Sequence, residues 1–116
     1  SVSLDPPIIL ASIAQRAGIR PALDDAARFT ISVLGGDQSI VASKVADRFP
    51  GLASLFDDAE GDPVVTGAVA ALVCGISETH AAGDHVLFLG AVERIVHGRE
   101  IEPLIYQRRK YRKLSS

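Results

Sequence analysis

The strongest constraint on the fold is a series of strand-like apolar segments separated by short turns. These largely apolar runs occupy residues 8–14, 29–34, 64–65, 68–76, 85–96 and 103–106. Repeated short strands with few intervening helices are typical of a β-barrel or β-sandwich rather than of a βαβ fold. Because residues 8–14 are apolar at almost every position, this strand is expected to be buried on both faces. The sequence therefore predicts a mainly β domain.

Two short helices are predicted between the strands. Pro21 suits the first turn of one helix, which extends through Ala27. Asp37 follows two glycines and is expected to cap a second helix that ends at Phe49, before a Pro-Gly pair. Residues 52–63 show no regular pattern and predict an irregular loop.

The composition indicates one ordinary folded domain. The 116 residues are 47% hydrophobic and 22% charged, and the formal net charge is −2. The single cysteine, Cys74, excludes an internal disulfide or a cysteine-rich zinc site, and its apolar neighbours predict a buried, unreactive thiol. No apolar run approaches the roughly 20 residues of a membrane-spanning helix. We therefore expect a soluble, cytoplasmic protein that binds no membrane.

The residue patterns alone do not identify a reaction. Residues 35–37, Gly-Gly-Asp, lack the further glycines and the lysine of a nucleotide-binding loop, so turn formation explains them. His80 and His85 flank a turn without a clear third ligand, so no metal site is expected. His85 also begins an apolar strand, where its ring must find a hydrogen-bond partner or face a cleft. A structural and a functional role both remain open for His85 at this level.

The end of the chain is strongly basic. Residues 107–113 carry five of the 12 basic residues, which leaves seven basic and 14 acidic residues elsewhere. An acidic body would repel a nucleic-acid backbone, so nucleic acid is not the expected partner. A small phosphorylated ligand or an acidic protein surface fits these charges equally well.

Three segments together resemble the flavin reductase-like family of flavin-binding split-barrel proteins. They are Ser-Val-Ser-Leu-Asp-Pro-Pro at 1–7, Gly-Asp-His with its following strand at 83–90, and Pro-Leu-Ile-Tyr to Tyr-Arg-Lys-Leu at 103–114. The resemblance covers essentially the whole chain. It implies a Greek-key split β-barrel with two or three short peripheral helices over residues 1–116, without the strands that open the family's domain.

The resemblance also implies an activity. Members of the family reduce flavin, FMN or FAD, with NADH or NADPH, usually as the small component of a two-component monooxygenase. They are homodimers that bind flavin near the subunit interface. Hydride transfer is chemistry of the cofactors, so the protein need only bind and orient them. This accounts for a sequence without an evident nucleophile or general acid.

The site residues are implied by the resemblance, position by position. Ser1, Val2 and Ser3 would line the flavin, and His85 would lie near the flavin and the nicotinamide nucleotide as the catalytic residue. Arg16 would be the cationic contact of a loop that approaches the flavin phosphate, formed by Ala14, Gln15, Arg16 and Ala17. The C-terminal segment would close the site with Tyr106, Arg108 and Tyr111.

The sequence departs from the family pattern in the loop that approaches the phosphate. The family commonly places Ser or Thr hydroxyls where this chain has Ala-Gly-Ile at 17–19. Backbone N–H groups and Arg16 or Arg20 would have to replace those donors. Two alternatives to a flavin reductase follow: a non-catalytic module that binds flavin or a partner, and a flavoprotein that retains FMN and acts on another substrate.

Overall fold

The fold is described from a computed structural model for residues 2–47 and 51–112. Nine strands, two α-helices and one 3-10 helix are found in these residues. In chain order they are β1 Ser3–Leu4, β2 Pro7–Ala14, α1 Arg20–Asp25, β3 Arg28–Val33, α2 Ser39–Ala46, the 3-10 helix Leu52–Leu55, β4 Phe56–Ala59, β5 Asp62–Val65, β6 Ala70–Ala82, β7 His85–His97, β8 Ile105–Gln107 and β9 Lys110–Arg112. The domain is mainly β, as the sequence predicts.

The principal sheet has five strands in the order β1-β2-β7-β6-β3. β2 runs antiparallel to β7, with Ile8 opposite Ala91 at one end and Ala14 opposite His85 at the other. β6 and β7, each 13 residues long, are joined by the two-residue turn Gly83-Asp84. Gly83 has φ 61°, a left-handed conformation that glycine adopts without steric cost and that suits a tight hairpin. The remaining strands form two hairpins, β4-β5 and β8-β9.

Two compact units divide the described chain. The first comprises residues 2–30 and 72–95, and its core contains Val73, Cys74, Val86 and Phe88. Gly90 lies against this core: a Cβ there would come within 2.6 Å of the Phe29 ring and 2.7 Å of the Cys74 Cβ. The prediction that Cys74 is a buried apolar residue is confirmed.

The second unit comprises residues 31–47, 51–71 and 96–112, and a polar network connects its turns. Gln38 is buried; its Oε1 accepts a hydrogen bond from the Gly35 N–H at 2.8 Å, and its Nε2 donates to Thr66 O at 2.9 Å. Arg99 forms two 2.8 Å hydrogen bonds with Asp37 and donates from Nε to Gly67 O at 2.7 Å. These contacts fix the segment that leads into α2.

The structure corrects two details of the strands and helices, and a third lies outside the residues that it describes. The expectation that residues 8–14 are buried on both faces is wrong, because alternate side chains of β2, Leu10, Ser12 and Ala14, are exposed. Asp37 does not cap α2: Gln38 occupies that position without a side-chain cap, and Arg99 holds the Asp37 carboxylate. The predicted end of this helix at Phe49 lies outside the described residues.

The predicted loop over residues 52–63 is the largest error in the fold. It contains the 3-10 helix and the β4-β5 hairpin, which closes through Glu60 and Gly61 with φ 55° and 94°. Asp58 Oδ1 accepts a hydrogen bond from the Gly61 N–H at 3.0 Å and stabilises this turn. The local sequence obscures the strand because aspartate is disfavoured in strands.

Candidate functional site

The start of β7 positions His85 beside the loop that follows β2. His85 is directly opposite Ala14 in the antiparallel ladder, although 70 residues separate them in sequence. The register therefore brings the Gly-Asp-His segment to the loop formed by residues 14–17. These are two of the segments that the resemblance assigns to one site.

Gln15 connects the loop after β2 to the turn that precedes His85 through two hydrogen bonds. Its backbone N–H donates to Asp84 O at 2.8 Å, and its side-chain Nε2 donates to Gly83 O at 3.1 Å. Two hydrogen bonds from one residue restrict the position of the turn. Gln15 thus holds the Gly83-Asp84 backbone, a contact that the sequence alone does not reveal.

Asp84 orients the imidazole of His85. His85 Nδ1 lies 2.8 Å from Asp84 Oδ1, and this hydrogen bond, together with the attraction of the imidazolium charge, lowers the pKa of the Asp84 carboxyl. The Asp84 carboxylate accepts a hydrogen bond from Nδ1–H, so in the neutral form of the ring Nε2 is the hydrogen-bond acceptor. The His85 side chain is 45% exposed. The ring is therefore both oriented and accessible to a ligand.

The loop after β2 presents cationic and backbone donors. Arg16 is exposed, and within residues 2–47 and 51–112 the backbone N–H groups of Arg16 and Gly18 donate to no protein acceptor. Charged and neutral N–H donors of this kind are suited to phosphate oxygens. They can replace the hydroxyl groups that the family pattern places at residues 17–19.

Val2 and Ser3 lie at the opposite end of the same ladder. The Val2 N–H donates to Ile8 O at 2.8 Å, and Ser3 pairs with Ile8. Ile8 and Ala14 are six positions apart in β2, which corresponds to about 20 Å along a strand. The structure therefore does not bring these two residues to His85 within one chain. Ser1 lies outside the described residues.

The C-terminal site residues belong to the second unit. The expected basic tail contains the β8-β9 hairpin, in which Tyr106 and Tyr111 are paired and their rings pack edge to face at 5.1 Å. Arg108 and Arg109 form its turn with φ 51° and 63°. Two consecutive left-handed residues match a type I′ turn, which normally favours Asn and Gly. The predicted strand 103–106 begins later than expected, since Pro103 forms only an isolated bridge to Gly35.

Sequence reasoning missed a cavity of about 670 Å³ in the second unit. Its walls come from one face of α2 and from β9, and its lining residues are Ser39, Ile40, Ser43, Lys44, Asp47, Lys110 and Tyr111. The spacing of the α2 residues, which places them on one face of a helix, is the only signal that the sequence offered.

The other sequence motifs have structural partners in the part of the chain that the structure describes. The N–H groups of Gly35 and Gly36 already donate to Gln38 Oε1 and Glu102 O, so these two donors are used within the protein rather than for a phosphate. His80 pairs with Glu78 at 3.4 Å rather than converging with His85. Among the described residues, no three His, Cys, Asp or Glu side chains are grouped to hold a metal ion. No described helix is long and apolar enough to cross a membrane.

The fold and the site define a small β domain suited to binding an anionic ligand next to an accessible imidazole. The family model of the flavin reductase like domain matches residues 1–115. The chain therefore belongs to this family, and the resemblance noted in the sequence is confirmed.

Individual relatives and structures agree with this assignment. The chain is 38% identical over 112 residues to the FMN reductase (NADH) SmoA of Agrobacterium fabrum, which covers 91% of this chain and 62% of that protein. It is 35% identical over 114 residues to the reductase component of 4-hydroxyphenylacetate 3-monooxygenase of Thermus thermophilus, covering 98% of this chain and 73% of that protein. The solved structure of the flavin reductase PheA2 superimposes with a TM-score of 0.89 at 30% identity, covering 100% of this chain and 76% of that one. The chain thus has the split-barrel fold of the flavin reductases, and it spans less than two thirds of the length of SmoA.

Proposed function

We propose that the protein is an NAD(P)H:flavin oxidoreductase that supplies reduced FMN or FAD to a partner monooxygenase. The main observation in support of this proposal is the register of β2 and β7, which places the loop formed by residues 14–17 next to His85. The family assigns these two segments to one flavin and nicotinamide site. SmoA, by its name, is an FMN reductase that uses NADH.

The loop fits the phosphate end of a flavin. The Arg16 guanidinium and the N–H groups of Arg16 and Gly18 are donors that a phosphate requires, and all belong to an exposed segment. Ala14, Gln15 and Ala17 contribute the backbone of this loop. When bound here, a flavin would supply the acceptor for the hydride of a nicotinamide nucleotide, so the protein would need only to hold and orient the two.

His85 positions the reacting groups in this proposal. Its Nδ1 proton is held by Asp84, so Nε2 of the neutral ring accepts a hydrogen bond from a ligand amide or hydroxyl. Gln15 keeps the turn, and hence the imidazole, in place. Small errors in such positioning reduce the rate of a transfer between two bound groups because the reacting atoms must lie in near contact.

The remaining proposed contacts come from the two ends of the chain. Ser1, Val2 and Ser3 would line the flavin, and Tyr106, Arg108 and Tyr111 would close the site. The described atoms support a backbone role for Val2, whose N–H is used by Ile8. They also support a rigid C-terminal hairpin, because the rings of Tyr106 and Tyr111 pack together. Arg108, in the turn of this hairpin, supplies its positive charge.

We also propose that the protein is a homodimer. Ser3 and His85 lie about 20 Å apart along β2, so a second copy is needed if both are to contact the same flavin ring. Mixing a Ser3→Arg variant with a His85→Ala variant should then give more activity than either variant has alone. No recovery after subunit exchange would show that each chain forms its site without its partner.

The experiment that tests the proposed function is flavin-dependent oxidation of NADH and NADPH by the full chain. FMN or FAD should accelerate oxidation, and His85→Ala should lower kcat/KM at least tenfold. His80→Ala is the matched control, since His80 is also an exposed histidine paired with a carboxylate and lies outside the site. No flavin-dependent oxidation with either nucleotide, or equal rates for the two variants, would overturn the proposal.

The alternative with a specific observation in its favour is a non-catalytic flavin- or partner-binding module. The loop at 17–19 lacks hydroxyl donors, which favours weak phosphate binding. In that case no reductase activity should be measurable. A yellow cofactor that stays bound through gel filtration would instead indicate a flavoprotein that retains FMN and acts on another substrate.

A further inference from the structure

The cavity between α2 and β9 has the composition of a nucleotide site. Ser39 and Ser43 are four residues apart and therefore lie along one face of α2, with Ile40 and Lys44 beside them, and Asp47 follows at the C-cap of the helix. Lys110 and Tyr111 form the opposite wall. Its volume of about 670 Å³ is within the usual range of small-molecule sites.

The lysines of the chain are concentrated at this cavity. The sequence has only three lysines, and two of them, Lys44 and Lys110, line the cavity from opposite walls. Asp47 is the only carboxylate among its lining residues. A chain with a formal net charge of −2 therefore carries a net positive charge at this position, which favours an anionic ligand.

The other lining groups indicate what kind of anion would bind. Two serine hydroxyls one helical turn apart spread donors over about 6 Å, and hydroxyl and ammonium groups both bind phosphate oxygens. Tyr111 and Ile40, which is 70% exposed, offer an aromatic and an apolar surface for a planar base. Tyr106 packs against the Tyr111 ring and restrains it.

Hydrogen bonds restrain the chain at the start of α2 and before the β8-β9 hairpin. The start of α2 is fixed through Gln38, and the segment before β8 is tied to the end of β3 by the hydrogen bonds from Leu104 N–H to Leu34 O and from Gly36 N–H to Glu102 O. The cavity is therefore bordered by restrained backbone, which reduces the ordering cost of binding.

We propose that this cavity binds the adenosine diphosphate group that NADH, NADPH and FAD share. The lysines and serines would hold the phosphates, and Tyr111 with Ile40 would contact the adenine. The assignment of this group to a substrate of the reaction rests on the proposed function, but the binding of ADP itself does not.

The direct test is calorimetric titration of the full chain, without flavin, with ADP, adenosine and FMN. ADP should bind at least tenfold more tightly than adenosine because it carries the phosphates, and more tightly than FMN because it carries adenine. The affinity for ADP should fall as the salt concentration rises. Equal binding of ADP and adenosine, or no binding of ADP, would overturn the proposal.

Charge variants make the test specific to the cavity. Lys44→Gln and Lys110→Gln should each weaken ADP binding about tenfold, and Lys110→Arg should restore most of it. Asp47→Asn changes the charge in the opposite sense and should tighten binding several-fold. Thermal unfolding of each variant identifies any that fail to fold. If folded glutamine variants bind ADP like the wild type, the cavity is not the site.

Competition experiments show which nucleotide, NADH, NADPH or FAD, places its adenosine diphosphate group in the cavity. They also show whether the cavity proposal and the proposed function fail independently of each other. ADP that competes with NADH or NADPH assigns the cavity to the electron donor, whereas ADP that competes with FAD assigns it to that flavin. Either result supports the proposal. A protein that reduces flavin but does not bind ADP refutes the cavity proposal alone, and one that binds ADP but shows no reduction refutes the proposed function alone.

Discussion

Gly98→Ala is expected to destabilise the protein severely. A Cβ on Gly98 would collide with the carbonyl oxygen of Ala68 and would lie 3.1 Å from Val69 O. The obstacle is backbone, which cannot rotate away as a side chain can. Two hydrogen bonds are formed at this contact: the Gly98 N–H donates to Val69 O at 2.9 Å, and the Arg99 N–H donates to Ala68 O at 3.2 Å.

The magnitude follows from these contacts. Loss of two backbone hydrogen bonds costs about 2 kcal/mol, and overpacking adds about 1–3 kcal/mol, for a total of about 3–5 kcal/mol. This is a large part of the roughly 5–15 kcal/mol that stabilises a typical domain. A loss of that size would lower the melting temperature by about 10–20 °C in a chain of this length.

The assay is urea denaturation at fixed protein concentration, with Gly61→Ala as the matched control. Gly61 has φ 94° but no atom near its Cβ position, so its substitution should cost only about 1 kcal/mol of backbone strain. The difference between the two variants measures the collision. If Gly98→Ala is no less stable than Gly61→Ala, the close approach of the two segments is wrong.

Arg109→Gly should raise the free energy of unfolding by about 0.5–1 kcal/mol, because glycine adopts the φ of 63° at this position without steric cost; unchanged denaturation would mean that the turn is not left-handed. Cys74 should react with a thiol reagent only after unfolding, because its thiol is buried. Burial raises the pKa of this thiol, and the negative charge of Glu93 raises it further. Rapid labelling of the native protein would contradict this prediction. Asp84 should titrate below its ordinary pKa of about 3.9, as followed by NMR, because His85 stabilises its carboxylate. The ionised Asp84 carboxylate therefore stabilises the folded state at pH values above its ordinary pKa, and this contribution is lost as the pH falls through the lowered pKa. His85→Ala should remove most of the shift, because the hydrogen bond and charge of His85 are its two largest causes.

Strong apolar patterns made much of the fold predictable from the sequence. The strand at 85–96 corresponds to β7, because its alternate residues, such as Val86 and Phe88, form the core. The β4-β5 hairpin was not predictable in this way, since its strands contain Asp57 and Asp58 and its only signal is a Glu-Gly turn. The misassigned cap at Asp37 has a different cause. Its partner, Arg99, is 62 residues away, and a local pattern cannot reveal such a pairing.

The candidate site was predictable in its parts but not in its arrangement. Gly83, Asp84 and His85 are recognisable as a motif, yet the sequence does not show which residues lie opposite them.

That information is in the register of β2 and β7. The register that places Ala14 opposite His85 also fixes Ser3, through Ile8, at the far end of the ladder. Because side chains alternate between the faces of a strand, a slip of one residue would turn every side chain of β2 to the other face. A reductase whose cofactors supply the electrons needs few reactive side chains of its own, so its function depends on positions that such a register sets. For the proposed reductase, the arrangement of ordinary backbone around His85 therefore matters more than any further reactive side chain.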